Sequence, residues 1–107
     1  MSDVYVRKNL QPAGGSWQTL YTVGACNRAI GVTVHVCSDQ ADTFGISLDA
    51  TGGGYSAAGD LIPDNMPING PNAMAATEGL TLLTGDVLRV RSGGGNVRFW
   101  IFADEIS

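Results

Sequence analysis

Charge is scarce in this chain. Asp, Glu, Lys and Arg make up 15% of its 107 residues, against about a quarter in an average soluble domain, so part of the surface is expected to be covered by something other than water. Six basic residues stand against ten acidic ones, a net charge of −4 with no basic block. Binding through phosphate neutralisation needs clustered Lys and Arg, so no nucleic-acid partner is expected. No stretch approaches the ~18 uncharged apolar residues of a transmembrane helix, and no membrane partner is expected. The start, Met1 to Lys8, has no apolar run behind a basic opening. It does not read as a secretory signal, and synthesis in a cytoplasm is expected. Helical periodicity is missing as well. Without apolar positions recurring at i, i+3, i+4 and i+7, the crossover helices of an α/β fold have no source.

Chemistry-bearing motifs are as sparse. The single histidine, His35, reads as an ordinary strand residue, and neither G-x-S-x-G nor H-E-x-x-H occurs. The runs Gly52-Gly53-Gly54 and Gly93-Gly94-Gly95 lack the Lys-Ser/Thr pair of a phosphate loop and read as turns that use φ > 0. The pairs Asp39/Asp42 and Asp60/Asp64 supply too few oxygens for calcium, which takes roughly six to eight. They read as turn aspartates bonded to nearby backbone. No enzyme activity, metal or cofactor is expected from this inventory.

What is present is a globular composition, 44% hydrophobic with fifteen glycines and no collagen-like period, enough for one small domain. Apolar and polar residues alternate. Trp17–Val23, Ala29–Cys37, Asp42–Leu48, Asp86–Arg91 and Val97–Ala103 read as strands, with Ile30, Val32, Val34 and Val36 on one face of the second. Ser92-Gly93-Gly94-Gly95-Asn96 reads as a tight hairpin turn between the last two. Pro63, Pro67 and Pro71 divide the middle into short extended pieces, with Asp60–Ile62 and Met66–Ile68 as candidate edge strands. Ala73–Leu82 reads as a strand or a helical turn leading into one. About seven to eight short strands predict an all-β, antiparallel, jelly-roll-like sandwich over residues 17–107, preceded by an N-terminal arm over residues 1–16.

Candidate interaction residues follow from this reading. Val4, Tyr5, Val6 and Leu10 make the arm too apolar for a solvated tail, so it is expected to add a strand or dock on a neighbour. Arg89, Arg91 and Arg98 alternate on the terminal strands and are expected to share a face. Arg98, Trp100 and Phe102 have one parity, and they form either a subunit interface or a core stripe with Arg reaching outward. Cys26 and Cys37 are separated by an extended strand of on the order of 30 Å at ~3.3 Å per residue. That exceeds the ~7 Å a disulfide tolerates between Cα atoms. Each is either a buried thiol or an inter-subunit disulfide to a neighbouring chain, with Cys26, in the turn Gly24–Asn27, better placed. Two Cys and one His on a straight strand do not converge on zinc.

Several segments together resemble a family of small tailed-phage virion structural proteins. They are Leu20-Tyr21-Thr22-Val23, Val36-Cys37 followed by Ala41-Asp42-Thr43-Phe44, Leu80-Thr81-Leu82 with Gly85–Val90, and Asn96-Val97-Arg98-Phe99 with Glu105-Ile106. The resemblance spans roughly residues 20–106. It departs at Cys26, where the family carries a proline-containing turn. The resemblance implies a single β-sandwich located on the virion after assembly in the host cytoplasm. The family is of capsid decoration or minor tail type; the sparse charge, the free arm and the lack of a catalytic set favour a capsid decoration or cement protein that binds the major capsid protein and copies of itself. A homotrimer is expected by analogy with the local threefold positions of icosahedral shells. The alternative is a tail or baseplate accessory, or a host-surface glycan-binding module using loops 51–59 and 63–72, where Tyr55 is the one aromatic residue.

Overall fold

The structure is a computed structural model that describes residues 3–24, 28–49 and 55–106. Its strands are β1 (Asp3–Leu10), β2 (Gln18–Thr22), β3 (Arg28–Ser38), β4 (Asp42–Asp49), β5 (Asp60–Ile68), β6 (Asn72–Leu83), β7 (Val87–Ser92) and β8 (Val97–Ile106). One sheet has the order β1-β8-β3-β6 and the other β2-β7-β4-β5, with every pairing antiparallel. β1 pairs with β8, β2 with β7, β3 with β6 and β4 with β5. The chain is in effect one long hairpin wrapped into two facing sheets, the topology of a jelly roll.

Alternation along the strands explains the core. β8 buries Val97, Phe99, Ile101 and Ala103 and turns the intervening residues outward. β3 buries Val32, Val34 and Val36, and β7 buries Leu88 and Val90. β4 contributes Phe44 and Ile46, with Phe44 meeting Phe99 edge to face at 6.1 Å between ring centroids. These side chains fill the space between the sheets, which holds the sandwich to a thinnest extent of 19 Å.

Five expectations change. Residues 3–10 do not stand apart as an arm; of the two outcomes expected for them they add a strand, and to their own sheet, with β1 paired to β8 along its whole length from Asp3 opposite Ile106 to Leu10 opposite Phe99. Val6 and Leu10 therefore pack against the core of their own chain. The segment 92–96 is not a hairpin turn but a crossover between sheets, because β7 pairs with β2 and β4 while β8 pairs with β1 and β3. As a result Arg89 and Arg91 lie on one sheet and Arg98 on the other. Ile30 leaves the valine face, because the register shifts between Ile30 and Thr33 around Gly31, whose φ is +60°. Ala29 and Val32 are both buried, while Ile30 is half-buried. Finally, β5 is continuous across Pro63 and Pro67. It is tolerated because β5 is an edge strand, where a missing N–H breaks no ladder.

Candidate functional site

The outer face of the β1-β8-β3-β6 sheet carries Tyr5, Trp100 and Phe102. Register places Phe102 between Arg7 and Thr33, Trp100 between Asn9 and His35, and Arg98 beside Cys37. Directly opposed residues in antiparallel strands share a face, so these side chains form three adjoining rows. Trp100 and Phe102 lie nearly parallel, 6.3 Å between centroids and 7° between planes. At the next row Tyr5 is opposite Asp104 and is 82% exposed, and Phe102 is 41% exposed. Tyr5, Ile30, Gly31, Phe102, Ala103 and Asp104 line an open cavity of about 340 Å³. Gly31 is among the lining residues, and a Cβ there would meet nothing within 4 Å. Of the two arrangements left open for Trp100 and Phe102, the structure places them outward, not in the core.

Three polar groups that resemble site residues serve the framework instead. Asp42 accepts hydrogen bonds from the backbone N–H of Thr43 (2.7 Å), Gly94 (2.7 Å) and Asn96 (3.0 Å), and from Ser92 Oγ (3.0 Å). Partial desolvation is the largest single influence on its carboxyl and opposes ionisation. The hydrogen bonds from Thr43, Asn96, Gly94 and Ser92 together outweigh it and hold the group below the ordinary carboxylate range. Asp49, with its side chain 4% exposed, pairs with Arg89 at 2.8 Å and accepts from Ser56 N–H at 3.1 Å and Ser47 Oγ at 3.3 Å. Tyr21 hydroxyl donates to Glu105 and fastens β2 to β8 across the sandwich. Among the described residues no group of three His, Cys, Asp or Glu side chains could hold a metal ion.

Cys37 is free and half-buried on the outer face, beside a cleft of about 80 Å³ formed with Gln11, Ser38, Asp39, Asn96 and Arg98. Cys26 and the run Gly52–Gly54 lie outside the described residues. On the second sheet a contact appears that sequence reading missed. Trp17 stacks on Tyr55 at 4.2 Å between centroids and 14° between planes, and Tyr55 hydroxyl donates to Asp60 at 3.3 Å. No local signal links Trp17 to Tyr55; only the closure of the sheet brings them together. No family model, curated protein or solved structure matches the chain.

Proposed function

We propose that the chain is a structural protein of a tailed-phage particle, a head decoration or cement protein that grips the major capsid protein through the outer face of the β1-β8-β3-β6 sheet. One observation carries the reading: Tyr5, Trp100 and Phe102 project from one regular sheet face, with Arg7 and Arg98 beside them. Such aromatic and Arg residues dominate binding energy where they are desolvated by a partner. The resemblance over residues 20–106 supplies the particle, and the jelly roll alone supplies none, since that fold hosts many functions. Cryo-EM of particles carrying the chain tests the location. Density on the head with this face against the shell supports the proposal. Density on the tail, or a head-bound orientation with the face in solvent, overturns it.

The Trp17–Tyr55 stack favours a second reading, a glycan-binding module. Sugar rings stack on aromatic faces, and Tyr55, 38% exposed, presents such a ring beside the Asp60 carboxylate that its hydroxyl bonds. Titration of host-surface oligosaccharides against tryptophan fluorescence checks it. Saturable quenching that Trp17→Ala abolishes supports this reading, and a flat response across the oligosaccharides rejects it.

A further inference from the structure

The two sheets have four edges, and three are guarded. β2 has five residues and a register shift between Thr19 and Tyr21. β5 carries Pro63 and Pro67 and a left-handed Asn65 at φ 73°. β6 has Gly79 at φ 68° and three register shifts against β3. Such breaks prevent a further strand from adding. β1 has none of them: its eight residues contain no Pro or Gly and pair with β8 in unbroken register. Val4 and Tyr5 on it are 55% and 82% exposed. Lys8, the residue type that usually guards an edge, is drawn back over the Tyr21 ring at 5.6 Å.

We infer that β1 is a docking edge and that its occupant is β1 of a second copy, antiparallel about a twofold axis. The sequence Asp3-Val4-Tyr5-Val6-Arg7-Lys8-Asn9-Leu10 is acidic at one end and basic toward the other. Parallel pairing sets Arg7 and Lys8 against themselves, whereas antiparallel pairing opposes unlike charges. A twofold perpendicular to the sheet keeps both outer faces on one side, so odd positions pair with odd and even with even. With Tyr5 on the axis, Arg7 opposes the position of Asp3 and Val4 opposes Val6. With Val6 on the axis, Asp3 opposes the neutral Asn9, and with Arg7 on the axis two guanidinium groups meet. The Tyr5 register is therefore the one that satisfies the charges. It joins the two sheets into one of eight strands and makes their aromatic outer faces continuous. The contact closes at two copies, in place of the threefold assembly expected by analogy with icosahedral shells, and it joins copies whether or not the outer face binds a capsid protein.

Sedimentation velocity over a concentration series tests the inference, with circular dichroism to confirm folding. The wild-type chain is expected to show a monomer–dimer equilibrium. Arg7→Asp is expected to weaken it about tenfold, because two favourable pairs become two repulsions. The swap Asp3→Arg/Arg7→Asp is expected to restore it. In a Cys26→Ser/Cys37→Ser background, Tyr5→Cys is expected to form a disulfide-linked dimer on mild oxidation, since antiparallel neighbours sit within disulfide reach. A wild-type chain that is monomeric throughout, failure of the swap to restore pairing in a folded protein, or absence of the Tyr5→Cys dimer each overturns it. Failure of capsid attachment with pairing intact counts against the proposed function and not against this edge.

Discussion

Replacing Asp42 by Asn keeps the shape of the side chain and removes its charge and one acceptor. The carboxylate takes four donors, and Gly94 N–H is exposed enough for water to replace it. Ser92 is fully buried, and its hydroxyl also receives the N–H of Gly95 at 2.9 Å, so losing Asp42 disturbs a chain of bonds and not a single one. A hydrogen bond to a charged acceptor contributes about 1.5–3 kcal/mol, and Asn preserves part of the set, so a net loss of about 1.5–3 kcal/mol is expected. For a domain of this size that lowers the melting temperature by roughly 8–15 °C. The pH dependence has a definite sign. The folded carboxyl is held below its ordinary value, so its contribution is fully present above the unfolded pKa near ~3.9 and is lost as pH falls through the folded value. Thermal unfolding of both proteins across pH should show a constant gap from neutrality to about pH 5 that closes in stronger acid. Equal melting temperatures at neutral pH, or a gap that ignores pH, would refute the role assigned to this carboxylate.

Three further outcomes are expected. Arg89→Met leaves the buried Asp49 carboxylate without its cation and should cost about 3–5 kcal/mol in urea unfolding, with Asp49→Asn added to it recovering part of the loss. Phe99→Ala empties the space beside Phe44 and should cost about 3–5 kcal/mol in the same measurement, a much smaller value indicating that β8 collapses into the gap. Trp100→Ala, on the outer face, should change stability by no more than about 1 kcal/mol while weakening attachment to particles, as read by co-sedimentation.

Local alternation made most strands legible, because a residue buried in a sandwich leaves its mark on every second position. It also placed Trp100 and Phe102 on one parity, though not on which side of the sheet. Pairing was the part that sequence left open. A short glycine-rich segment joins neighbours in one sheet or strands in facing sheets with equal ease. Residues 92–96 suit the former as well as the latter, because β7 and β8 alternate alike. What decides between them is distant: Gly93 N–H bonds Thr43 carbonyl and Gly15 N–H bonds Ser92 carbonyl, so β4 and the segment before β2 claim the crossover. β1 is hard to recognise as part of the sandwich for a different reason. Val4, Val6 and Leu10 alternate as a strand should, but Lys8 interrupts the inward set. The structure shows that position occupied by a lysine reaching over Tyr21, an amphipathic side chain doing the covering that an apolar one does elsewhere.

The topology also explains why the two candidate surfaces are of different kinds. A hairpin wrapped into two sheets places its first and last strands side by side, and among the described residues the first strand has no second strand partner. β1 is thus an edge by construction, and it borders the strand that carries Trp100 and Phe102. The opposite sheet instead has residues 55–59 against its outer side, where Ser56 N–H bonds Asp49. Ser47 and Asp49 are consequently buried there, and Tyr55 is carried onto Trp17. A flat aromatic face with an open edge suits contact with another regular protein surface. A stacked aromatic pair beside a carboxylate suits a small polar ligand. The competition between the two functional readings is therefore a competition between two sheets, and Trp100→Ala and Trp17→Ala address them separately.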